Sequence, residues 1–242
     1  MAALIDPFLR KLERLGPLSD VERGVLEAMP LNVRQVGADQ DLVRDGERTS
    51  HCLVLLEGFA CRSKMLADGR RQIMAFHIPG DVPDLTSLLL GKLDHNISTL
   101  TPVRVAPIPH ATLLGWSEQH PNLGRLLWRD TLIDAAIFRE WVVNVGRRSA
   151  HARVAHLLCE LVTRLRTMGF AQGHSCDLPI TQVELADATG MSAVHINRVL
   201  QELRGEGLIE IGGGTLVALD WAGLKQAGEF DPTYLHQLAA AA

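Results

Sequence analysis

The chain has 242 residues, 24 Lys+Arg against 28 Asp+Glu, a formal net charge of −4 and a pI near 6.2. Length points to two domains, and 47% hydrophobic residues suffice for well-packed cores. The charge excludes a protein wrapped in nucleic acid over its whole surface. Split near Gly146, each part carries a net −2, so any affinity for a polyanion must come from placement rather than bulk charge. Four cysteines (Cys52, Cys61, Cys159, Cys176) are scattered without a CxxC pair, which reads as reduced thiols of a cytoplasmic protein. The amphipathic start MAALIDPFLRKLERLG is too interrupted by charge for a signal sequence. No stretch approaches the roughly 20 apolar residues that span a bilayer.

Residues 4–28 read as two short helices separated by Gly16-Pro17, with Ser19 as N-cap of the second. From 31 to 109, β-forming runs (Cys52–Leu56, Gln72–Ile78, Val103–Ile108) alternate with Asp45-Gly46, Glu57-Gly58, Asp68-Gly69 and Pro79-Gly80 turns. That rhythm predicts a compact antiparallel sandwich or barrel. From Pro121 to Asn144 the pattern turns helical. A helix of about 24 residues is about 36 Å long, which suits a spine that pairs with a twin through Leu123, Leu127, Ile133, Ile137 and Trp141. An ordinary core helix fits the same segment. Gly146 reads as an interruption, making Asn144–Arg148 a hinge. A second helix follows over 150–168, then a polar loop over 169–178. The Ala239–Ala242 tail reads as frayed.

Residues 179–219 carry the most information. Thr181-Gln182-Val183-Glu184 is a capping box that starts a helix. Gly190 stands where a tight turn needs positive φ, and Ser192 caps a second helix to about Arg204. Ile196, Val199, Leu200 and Leu203 form one buried stripe. Arg198 and Val194 point the other way, flanked by His195, Asn197, Gln201 and Glu202. Such a face can read base edges: Arg198 a guanine, Asn197 an adenine or a phosphate, Val194 a thymine methyl. Gly212-Gly213-Gly214 between two β-forming runs reads as a hairpin that lies along a phosphate backbone. The bland reading is a small packed domain of two helices and a hairpin, but a purely solvated face would favour Glu and Lys over Val194.

The run ITQVELADATGMSAVHINRVLQELRGEGLI, Pro79-Gly80-Asp81 and the long helix together resemble the Crp/Fnr superfamily of catabolite-activator-like regulators, over nearly the whole chain. The resemblance implies an α+β architecture with a cyclic-nucleotide-binding-like β-roll (jelly-roll) and N-terminal helices over 1–118. It implies a dimerisation helix over 119–145 and a C-terminal winged helix-turn-helix over 146–242. It implies a homodimer on an inverted-repeat operator of double-stranded DNA, half-sites one helical turn apart, with RNA polymerase as a further partner. Thr181, Gln182 and Ser192 match phosphate-contacting positions, and His195, Asn197 and Arg198 the base-reading stretch. Val194 stands where the family often has glutamate. Gly80, Asp81 and Asp84 match the effector pocket, Asp84 replacing the acid of the cyclic-AMP-binding members. Between Gln72 and Val103 there is no arginine to hold a cyclic phosphate, and Lys92 is the one cation; lysine pairs less well bidentately. This argues against cyclic AMP.

No cofactor is expected. The cysteines are too dispersed for the iron–sulfur cluster of the oxygen-sensing branch. His51, His77, His95 and His110 are potential haem ligands, but each reads as a surface or satisfied side chain. Glycine loops for phosphate, GxSxG and HExxH are missing, so an enzyme is not expected. Two other readings stay open: a ligand-binding module whose C-terminal domain contacts protein, and a regulator with a vestigial sensor.

Overall fold

The structure, a computed structural model, describes residues 2–236, so Ala239–Ala242 lies outside it. The chain forms two compact units. Among the described residues, one comprises 2–64 and 75–135, the other 65–74 and 136–236.

The first unit opens with helices α1 (Ala2–Leu15) and α2 (Asp20–Glu27). Ser19 accepts from the Glu22 amide while Glu22 returns to the Ser19 amide, a complete capping box. The strands are β1 (Arg34–Val36), β2 (Asp41–Val43), β3 (His51–Glu57), β4 (Ala60–Met65) and β5 (Arg71–His77). A short helix α3 (Ser87–Leu90) precedes β6 (Asn96–Thr99) and β7 (Val103–Pro109). They form two sheets of order β1-β7-β3 and β2-β6-β4-β5, with antiparallel register such as Leu53↔Pro107 and Arg62↔Ile97. Leu53, Leu55, Ala60, Ile97, Val103 and Val105 fill the space between them. Helix α4 (His110–Gln119) follows.

Helix α5 (Pro121–Arg147) runs through Gly146. The expected interruption there is not seen. One glycine costs a helix only about 1 kcal/mol, and the break comes instead at Ser149, whose hydroxyl accepts from the Ala152 amide and starts α6 (Ala150–Thr167). The expected partner-facing residues of α5 are mostly spent within the protomer: Leu123, Leu127, Ile133 and Trp141 are buried, and Ile137 is half-buried. The exposed apolar side chains on this helix are Trp128, Leu132, Phe138, Val142 and Val143.

The second unit continues with β8 (Ala171–Gln172) and β9 (Ser175–Asp177), where a plain polar loop was expected. They are strands because β9 pairs with a later hairpin strand, a non-local contact without local signal. Helices α7 (Gln182–Thr189) and α8 (Ala193–Gly205) precede β10 (Ile209–Gly212), β11 (Thr215–Ala218) and α9 (Trp221–Ala227). The sheet order is β10-β11-β9-β8. A 3₁₀ turn over Pro232–Leu235 ends the described chain. There Tyr234 Oη donates to the fully buried Glu160 at 2.8 Å, and Trp141 Nε1 donates to the same carboxylate at 3.1 Å.

Candidate nucleic-acid interface

Helices α7 and α8 are set by local chemistry. The Thr181 hydroxyl accepts from the Glu184 amide and Glu184 accepts from the Thr181 amide. Gly190 closes α7 at φ +67°, a left-handed conformation that favours glycine. Ser192 then accepts from the His195 amide and opens α8. Ile196, Val199, Leu200 and Leu203 face the core as the period requires. The hydroxyls of Thr181 and Ser192 both serve as helix caps and remain exposed at the two N-termini.

The outward face of α8 is open. Val194 is 82% exposed, the Arg198 side chain 68%. Glu202 is the nearest acid to Arg198, at 3.8 Å, a surface separation that holds the guanidinium only weakly. His195 is half-buried and Asn197 exposed. Asn197 Nδ2 donates to Gln182 Oε1 at 3.1 Å, which links the two helices. All seven residues singled out from sequence (Thr181, Gln182, Ser192, Val194, His195, Asn197, Arg198) lie on these two helix starts or the α8 face.

Sequence reasoning missed Arg204. Its guanidinium donates to the Ile211 carbonyl and so fixes β10 against the end of α8. Ile180, Thr181, Gln182, Arg204, Gly212 and Gly214 line a groove of about 350 Å³ between the start of α7 and the hairpin. Glycines 213 and 214 both take positive φ at the hairpin tip, giving a narrow turn without side chains that can approach a phosphate backbone closely. The sequence signal for Arg204 was only its place in the last turn of α8, where a cation also suits the helix dipole.

The residues expected to take an effector sit differently. Gly80 occupies its turn at φ +101°. Asp81 pairs with Lys11 at 2.8 Å and accepts from the Ile78 amide. Asp84 is fully buried and accepts from the Leu53 amide at 2.7 Å. Burial, only partly offset by that amide, pushes its carboxyl up to about 7. Both carboxylates therefore brace the β-roll, and both are buried from bulk solvent. The four cysteines are buried, and burial raises the thiols of Cys52 and Cys159 to about 12, which leaves them unreactive near neutral pH. Among the described residues, no helix is long and apolar enough to cross a membrane.

Two families match the chain: the cyclic nucleotide-binding domain over residues 33–120 and the Crp-like helix-turn-helix domain over residues 152–227. The chain is 30% identical to the nitrogen fixation regulation protein FixK of Bradyrhizobium diazoefficiens, over 69% of each. It is 23% identical to the transcriptional activator protein FnrL of Cereibacter sphaeroides, over 81% of this chain and 80% of that one. The solved structure of FixK2 from Bradyrhizobium japonicum superimposes with a TM-score of 0.75 at 23% identity, covering 88% of this chain and all of that one. These relatives are regulators and not enzymes. With a cyclic-nucleotide-binding-type β-roll, a long helix and a Crp-like winged helix-turn-helix in one chain, the protein belongs to the Crp/Fnr superfamily of DNA-binding transcription regulators.

Proposed function

We propose that the protein acts in the cytoplasm as a homodimer that places α8 of each copy in successive major grooves of an inverted-repeat operator, and that it contacts RNA polymerase from that site. The observation that carries this reading is the α8 face: an exposed arginine and an exposed valine side by side, with amide and imidazole groups around them. Arg198 offers a guanine a bidentate fork, and Val194 offers a thymine methyl an apolar contact. Asn197, its nitrogen engaged by Gln182, presents an acceptor. Thr181, Gln182 and Ser192 at the helix starts, with the groove beside Arg204, suit phosphates. Because the chain is acidic overall, affinity depends on this local surface and on having two copies of it.

Pairing of two copies through α5 is supported by the solvent-facing Trp128, Leu132, Phe138, Val142 and Val143, an unusual set on a monomer's surface. The test is fluorescence anisotropy of the purified protein on duplexes selected from a random pool. Enrichment of a two-fold symmetric sequence, with affinity falling steeply as salt rises, supports the reading. Absence of duplex binding at low salt, with retention of a protein partner instead, refutes it.

A further inference from the structure

The interior of the β-roll holds a polar cluster that its own hydrogen bonds leave incomplete. Arg62 on β4 donates from Nη1 to Asp134 of α5 at 2.8 Å and from Nη2 to the Pro83 carbonyl at 2.9 Å. Around it lie His77 at the end of β5, His95 just before β6, and Asp84; each feels the Arg62 charge. The side chains of His77 and His95 expose only 5% and 9% of their surface, and Asp84 none. Four atoms of this group are buried without a partner: Arg62 Nε, His77 Nε2, His95 Nε2 and Asp84 Oδ2. Buried polar atoms in native proteins nearly always have partners, so four orphans in one cluster call for an occupant.

The chemistry narrows what fits. His95 directs Nδ1 at Asp94, 2.8 Å away, and His77 directs Nδ1 at Asp81, 3.7 Å away. With a carboxylate at Nδ1, each neutral ring keeps its Nε2 lone pair for the interior. Burial, acting with the Arg62 charge, holds both imidazoles below their ordinary range and so favours the neutral ring. Arg62 Nε–H adds one fixed donor. The remaining charges are already matched: Asp134 by Arg62, Asp81 and Asp130 by Lys11. Among the described residues no group of three or more His, Cys, Asp or Glu side chains is arranged to hold a metal. What complements one strong donor and two imidazole lone pairs is an oxyanion that also carries an O–H.

We propose that Arg62, His77, His95 and Asp84 form a binding site for a small protonable oxyanion, dihydrogenphosphate being its simplest form. The oxyanion accepts from Arg62 Nε and shares its proton with an imidazole Nε2. Asp84, when protonated, adds a second donor. A cyclic phosphodiester has no O–H on phosphorus and does not match, so this is a different demand from that of a cyclic nucleotide.

The test is titration calorimetry of the full chain with inorganic phosphate, against chloride at matched ionic strength, and needs no DNA, so its failure leaves the operator reading untouched. We expect saturable binding, several-fold tighter near pH 6 than near pH 8 because the ligand must bring a proton. Arg62→Gln should weaken it by about tenfold or more. Should that variant fail to fold for want of a partner for Asp134, His95→Gln carries the same test and should also blunt the pH dependence. Absence of saturable binding in the unaltered protein, or unchanged affinity in the folded variants, overturns the proposal and leaves the orphan atoms to ordered water.

Discussion

Arg153 Nη1 donates to the carbonyl of Thr189 at 2.7 Å, joining the first turn of α6 to the last residue of α7 just before the Gly190 turn. The same guanidinium donates to Asn144 O and Arg148 O at 3.1 Å each, and Asn144 Nδ2 returns to Arg153 O at 3.2 Å. One side chain therefore collects the carbonyls at the end of α5 and the helix-turn-helix turn together. Charge-assisted bonds of this kind contribute roughly 1.5–3 kcal/mol each when removed from one partner, and they are not additive. Arg153→Lys keeps the charge but loses the fork. We expect it to lower stability by roughly 2 kcal/mol in urea unfolding and to weaken operator binding as well. An unchanged unfolding midpoint would show that these carbonyls are equally well served by water.

The Glu160 carboxylate is the second such joint. Trp141, Tyr234 and Arg164 all donate to it, while its burial raises the carboxyl above its ordinary range. Tyr234→Phe removes one donor and leaves the ring in place. The expected loss is about 1–2 kcal/mol, measured by thermal unfolding of the full chain. A Tm equal to that of the unaltered protein contradicts the assignment.

Asp84 gives a pH signature. Its folded carboxyl is raised to about 7 from 3.8, so between those values the folded state holds a proton the unfolded chain has released. Stability contributed by this group is thus present at low pH and lost as pH rises toward 7. Asp84→Asn keeps an oxygen for the Leu53 amide and cannot ionise. Relative to the unaltered protein it should gain stability from about pH 4 to pH 7, by roughly 2–4 kcal/mol at the upper end. Parallel stability–pH curves would contradict this.

On α5 two tryptophans separate packing from pairing. Trp141 is 5% exposed and Trp128 62%. Leu132→Asp, beside Trp128, should convert the proposed dimer to monomer in light scattering while the monomer stays folded. Trp141→Ala should instead cost roughly 3–5 kcal/mol of stability. A dimer that survives Leu132→Asp would move the interface elsewhere.

The contrast on α5 shows what the sequence discloses and what it withholds. Helical periodicity placed the helix but not which of its apolar faces the rest of the protomer covers. With an apolar residue at most positions, both faces read alike, and only tertiary packing decides. The helix-turn-helix was legible almost residue by residue because its signals are local: the Thr181 box, Gly190 at φ +67°, Ser192 and the four-residue stripe of α8. Strands β3, β5 and β7 were legible from their apolar runs. Strands β8 and β9 were not, because β9 is a strand only through its pairing with β11. The same reason hid the Arg62 cluster, whose members come from β4, β5, α5 and the segments just before α3 and β6 and meet only in three dimensions. Gly146 misled because a glycine breaks a helix only where packing permits, and here α5 continues past it.

Base reading by Arg198 is tested by selection of duplexes from a random pool by the purified protein and by its Arg198→Ala variant, followed by affinity measurement on the winning sequence. We expect an inverted repeat whose half-site contains a guanine that the variant no longer requires, with specific affinity reduced by about 1–3 kcal/mol. Selection of the same sequence at the same affinity by both proteins would contradict it.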